Sequence, residues 1–278
     1  MSGEHASLRW IGGGWELQDL HSRNGTFVNA RRLAQGERVE LALGALIGLG
    51  RPDSLVLVDA GPPEAFAAPF GGGPPVLTRG GILALPDPAA PQLMIFQTQR
   101  GWMVERAGEV VAVGDNEIVR IGGDAWRLHL PEALAQTEDS TSGPPGIDNI
   151  TLRFHVSRDE EYVELVAVHD AHIIDLKARA HHYTLLMLAR ARLRDRTLPD
   201  EGQGWVLQSD LLRMLRVDVN HLHLDIYRLR RQFGEAEIAD AARIIERRPG
   251  TRALRIGVAR IEVRVLDVSH ERGEPSDP

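Results

Sequence analysis

Ser22-Arg23-Asn24-Gly25-Thr26-Phe27-Val28-Asn29 is the stretch on which the reading of the fold turns. Asn-Gly favours a tight turn, because both residues tolerate positive φ at little steric cost. The Thr-Phe-Val that follows has the β-branched and aromatic character of a strand. Upstream, residues 6–11 and 15–20 alternate apolar and polar side chains on either side of Gly12-Gly13-Gly14, the pattern of a hairpin. Downstream, residues 38–43 and 55–59 continue the same short-strand period. Residues 1–60 are therefore expected to form a small all-β sandwich.

Further motifs surround this stretch. Ser2-Gly3-Glu4-His5-Ala6, Trp15-Glu16-Leu17-Gln18-Asp19-Leu20, Ser22–Asn29 and Gly36 with the apolar strands up to Leu49-Gly50 occur in order. Together they resemble the core motif series of forkhead-associated (FHA) domains. The resemblance implies a phosphothreonine-binding module. A phosphothreonine carries nearly two negative charges and three acceptor oxygens, so it needs hydroxyls, backbone N–H groups and a cation converging from loops. By resemblance, Ser2 gives a hydroxyl to the phosphate, Arg23 adds charge from an adjacent loop and Asn24 bridges the bound peptide backbone. His5 and Gly25 are structural, bracing the loop. The family's Gly-Arg, whose arginine usually grips the phosphate, belongs ahead of Ser2 and is not in this sequence. The sequence as it stands is thus expected to hold phosphothreonine weakly or not at all.

The C-terminal part reads differently. Residues 151–156 and 162–169 are strand-like, 181–194 place Leu185, Leu188 and Ala189 at helical spacing, and 209–215 form a short helix with Ser209 as N-cap. Residues 220–233 are the most periodic helix, with Leu222, Ile226, Leu229 and Phe233 on one stripe. A hairpin about Pro249-Gly250 and a strand at 261–266 close the segment. This order, and the Ile226, Leu229 and Arg230 pattern, resemble the α+β winged-helix effector domains of OmpR-type response regulators. Asp225 stands where that family often has His, and the hairpin lacks the usual Gly-Tyr. The resemblance implies duplex DNA as partner. With the stripe buried, Asn220, Tyr227, Arg228 and Arg231 face outward to read the groove, and Arg247, Arg248 and Arg252 sit on the hairpin.

Between these parts, residues 61–75 read as a Pro/Gly-rich linker or loop, and 76–134 as a β-rich segment that echoes the first. Gly14-Trp15 and Gly36-Glu37 correspond in that echo to Gly101-Trp102 and Gly114-Asp115, so an FHA-like half is one reading of it. Residues 135–147 are a Ser/Thr/Gly/Pro-rich flexible linker, 148–267 the winged helix and 268–278 a disordered tail.

The 278 residues carry a net charge of −7, yet residues 178–266 hold 17 Lys and Arg against 11 Asp and Glu. A basic segment in an acidic chain suits a modular DNA binder. With no cysteine, disulfides and thiolate metal sites are excluded. His181-His182 and His221/His223 are spaced poorly for chelation on a helix, so no metal or cofactor is expected. The chain shows no signal peptide, membrane span, nucleophile elbow or P-loop. The expectation is a cytoplasmic, non-enzymatic bacterial signalling protein. In it a phosphothreonine-containing protein or Ser/Thr kinase acts through the first module on transcription by the last, with a homodimer possible. The alternative is an adaptor in Ser/Thr kinase signalling whose winged helix binds protein.

Overall fold

Gly12 and Gly13 both take positive φ, 60° and 90°, which lets a two-residue turn join β1 (Ala6–Ile11) to β2 (Gly14–Asp19) in register Ile11 to Gly14. Asn29 and Ala30, also at positive φ, turn β3 (Thr26–Val28) into β4 (Arg31–Arg32). Strands β5 (Arg38–Leu41), β6 (Leu46–Leu49) and β7 (Leu55–Val56) complete two sheets, ordered β1-β2-β5 and β4-β3-β6-β7. Their inner faces bury Leu17, Val28, Leu33, Leu41, Ala45 and Ile47. The edge strands β1 and β7 leave Leu8, Ile11, Leu55 and Val56 exposed. This computed structural model describes residues 4–52, 55–98, 100–131 and 143–266, and the chain divides into two compact units, residues 1–64 and 65–278. Ser2, most of the 135–147 linker and the 268–278 tail lie outside the described residues.

The second unit begins inside the stretch expected to be a linker. Residues 61–75 contain β8 (Phe66–Pro69), whose Ala67 is wholly buried. Small apolar side chains let this strand pack tightly, and its composition masked it. Strands β9 (Val76–Leu77), β10 (Ile82–Leu85), β11 (Leu93–Thr98), β12 (Gly101–Arg106), β13 (Glu109–Ala112), β14 (Ile118–Ile121) and β15 (Asp124–His129) follow. They form sheets ordered β10-β11-β12-β13 and β14-β15-β8-β9. One device recurs in both units: Trp15 Nε1 donates to the Gly61 carbonyl at 2.9 Å, and Trp102 Nε1 donates to the Pro131 carbonyl at 2.8 Å.

A further four-stranded sheet comes next in the chain, built from β16 (Thr151–Val156), β17 (Val163–His169), β18 (His172–Ala178) and a later strand. It leads into α1 (His182–Arg194), β19 (Val206–Leu207), α2 (Gln208–Leu215) and α3 (Val219–Glu235). The chain closes with β20 (Ile245–Arg248), β21 (Ala253–Ile256) and β22 (Arg260–Val265). Strand β22 runs parallel to β16, giving the order β18-β17-β16-β22, while β19-β21-β20 form a small sheet. Helix α2 starts one residue before Ser209, with Leu207 at the N-cap and no side-chain cap. Helix α3 is capped by Asp218, whose carboxylate accepts from the His221 N–H at 2.8 Å.

Residues 76–134 and 148–267 do not part into separate bodies. Strands β10 and β11 alternate strictly between two cores. Leu83, Leu85, Leu93 and Ile95 fill the sandwich interior, while Ile82, Ala84, Met94 and Phe96 join the core that holds Leu222, Ile226, Leu229 and Phe233 of α3. A strand buried on both faces reads as an unbroken apolar run, as Ile82-Leu83-Ala84-Leu85 and Leu93-Met94-Ile95-Phe96 do.

Candidate functional site

In the first unit the chain turns between β2 and β3 over a buried carboxylate. Asp19 accepts from the Ser22 N–H (3.2 Å), the Ser22 hydroxyl (2.5 Å) and the Thr26 hydroxyl (2.6 Å), and all three residues are buried. Burial would raise the Asp19 pKa, but the Ser22 and Thr26 hydroxyls, with the Ser22 and Gly36 N–H groups, overcome it and hold it down to about 2. Above this knot, His5 Nε2 donates to the Gly25 carbonyl at 3.1 Å, and Gly50 N–H donates to the same oxygen at 2.8 Å. Gly25 sits at φ 87°, and a Cβ there would strike the Arg32 side chain. The loop is thus fixed from three sides and presents Arg23 and Asn24 to solvent. A cation and an amide on a rigid loop can bind an anionic group and bridge an extended peptide.

The surface proposed from sequence for the second unit is rearranged. Leu222, Ile226, Leu229 and Phe233 are fully buried, as their period requires. Asn220 and Arg228 are exposed, and so are Arg248 and Arg252 on the β20–β21 hairpin. Tyr227, expected to face outward, is only 2% exposed. The turn between β9 and β10 packs on this side of α3. Gly80 (φ 57°) and Gly234 meet backbone to backbone, and a Cβ on either would collide with the other chain segment. The same contact leaves the Arg231 side chain 36% exposed and ion-paired with Glu235 at 3.2 Å.

Arg247 is the second correction. Its side chain is 2% exposed and its Nε lies 2.6 Å from Glu105 of β12, whose other oxygen is 2.7 Å from Arg230 of α3. Arg230 also donates to the Ala242 and Ile245 carbonyls (2.8 and 3.2 Å) and lies 4.5 Å over the Phe96 ring. One carboxylate thus serves two buried guanidiniums. Desolvation would raise the Glu105 pKa, but the charges of Arg230 and Arg247 hold it below the usual carboxylate range. Glu105 gave no sequence signal, because its partners lie over a hundred residues away in the chain. Asp225, where the winged-helix pattern often has His, is buried and accepts from the Thr184 hydroxyl of α1 at 2.7 Å. On the hairpin, Arg248 and Arg255 both lie within 5 Å of the Trp205 ring centroid, and Arg248 donates to the Glu201 carbonyl at 3.1 Å. No helix among the described residues is long and apolar enough to cross a membrane.

Comparison with known families detects an FHA domain at residues 1–50. Comparison with curated proteins and with solved structures returned no match.

Proposed function

We propose that the chain is a phosphothreonine-responsive regulator, in which residues 1–60 bind a phosphothreonine-containing protein or kinase and the C-terminal module is a winged helix that meets duplex DNA. The observation that carries the first half is the braced loop. His5 and Gly50 converge on the Gly25 carbonyl and the Asp19 knot lies beneath, so Arg23 and Asn24 are held out without a partner to rearrange. Arg23 supplies charge to the phosphate, Asn24 grips the peptide backbone, and Ser2 adds a hydroxyl by the family pattern. The element order of sheet, three helices and hairpin supports the second half, with Asn220 and Arg228 at the groove and Arg248 and Arg252 on the flanking backbone.

The burial of Tyr227 and Arg247 favours a second reading, in which the winged helix engages protein in a non-enzymatic adaptor. Filter binding of random duplex DNA by the whole chain separates the two. A regulator binds with a steep negative salt slope that Arg252→Ala lowers by about one contact, whereas an adaptor shows no duplex binding at low salt.

A further inference from the structure

On the side of α3 away from the Glu105 triad, the β9–β10 turn, the loop after β10 and the β18–α1 junction border an open cleft of about 770 Å³. That lies within the 300–1,000 Å³ of small-ligand sites. Four arginines line it, Arg79, Arg179, Arg228 and Arg231, against two carboxylates, Asp87 and Glu235. We propose that this cleft is a binding site for a small diphosphate-bearing ligand of the nucleoside diphosphate class.

The charge pattern selects the anion. Glu235 pairs with Arg231 and Asp87 accepts from the Ala89 N–H (2.8 Å), and the four guanidiniums outnumber these two carboxylates. Arg79 and Arg228 form no ion pair among the described residues. Burial first, and then the positive charges of Arg228, Arg179 and Arg231, depress the pKa of His181 on the same wall, which places three guanidiniums in one field. Guanidiniums match phosphate oxygens bidentately.

The remaining lining selects more than phosphate. Leu224, Pro88, Ala89 and Ala180 give an apolar wall on which the flat face of a base can rest. The Gly80–Gly234 contact fixes Arg79 against α3, so a ligand here would clamp the β9–β10 turn onto the helix.

Calorimetric titration of the whole chain with ADP and, separately, with inorganic pyrophosphate tests this. Both ligands should bind and compete, and Arg79→Gln should weaken ADP by about tenfold or more, the loss of one charge-assisted contact. Arg228→Gln, at an exposed lining position, should weaken ADP and pyrophosphate alike, since the charge it removes serves the phosphates. No heat with either ligand at about 1 mM, a Kd beyond useful affinity, overturns the proposal. So does ADP binding that survives Arg79→Gln but fails in Asn24→Ala, which moves the phosphate to the N-terminal loop. Duplex DNA binding lost in Arg79→Gln without any ADP binding also overturns it, and makes this wall a nucleic-acid surface.

Discussion

Replacing Glu105 by Gln is the perturbation that bears hardest on the second unit. The side chain keeps its volume, so no cavity forms, but the carboxylate shared by Arg230 and Arg247 is lost. At an effective dielectric of about 20, each charge pair near 4 Å is worth about 4 kcal/mol before desolvation. Most of that gross attraction offsets the cost of taking three charges out of water. What remains after one partner is removed is two guanidiniums at 2% exposure with no balancing charge, held by neutral groups: the Ala242 and Ile245 carbonyls, the Met94 sulfur, Gln208 and the new amide oxygen. The expected loss is about 3–5 kcal/mol, a large part of the 5–15 kcal/mol typical of a domain. Urea unfolding followed by tryptophan fluorescence, with Trp102 and Trp126 in the sandwich and Trp205 beside α2, measures it. In the parent these probes should unfold together, because β10 and β11 share both cores. A companion variant, Glu105→Leu with Arg230→Met and Arg247→Leu, should recover most of the loss, since well-packed apolar replacements of buried ion clusters are often neutral. A Glu105→Gln change below about 1 kcal/mol, the range of an exposed pair, would refute the reasoning.

Other expectations follow from the same geometry. Leu229→Ala, on the wholly buried stripe, should cost about 2–5 kcal/mol in the same urea assay. His182 is buried and its pKa is pushed down to about 4, first by desolvation, with Gln232 opposing and the His181 charge adding. A base with a depressed folded pKa binds fewer protons folded than unfolded, so the second unit should lose up to about 3 kcal/mol as pH falls from 6.5 to 4. His182→Gln should flatten that slope in pH-dependent melts. Asp19 works in the window below: its carboxylate stabilises the first unit above the ordinary carboxylate pKa, and that contribution should fade as pH drops toward 2. Asp19→Asn melts should show the fading removed.

Much of the fold is legible where period and turn chemistry act locally. Gly12-Gly13 and the alternating strands around them define the first hairpin, and the Leu222, Ile226, Leu229 and Phe233 stripe defines α3. What stayed hidden depends on contacts remote in sequence. Helical spacing tells which face of α3 is most apolar, but not that its last turns are packed on another flank, because the β9–β10 turn that meets Arg231 and Gly234 lies far upstream. Arg247 reads as a wing cation until Glu105 is placed beside it. The unbroken apolar runs of β10 and β11 were the available sign that this sheet packs on both sides. In the first unit, Asn24-Gly25 marks the turn, while the Asp19 knot that stiffens it is spread over Ser22 and Thr26 and carries no motif of its own.

The measurement that tests the central claim most directly is fluorescence-anisotropy titration of the whole chain with matched threonine and phosphothreonine peptide libraries. The account predicts binding that is weak but phosphate-selective, with at least a tenfold preference for phosphothreonine, about 1.4 kcal/mol, and loss of that preference in Asn24→Ala and Arg23→Ala. Equal binding of the two libraries, or a preference that persists in both variants, would contradict it.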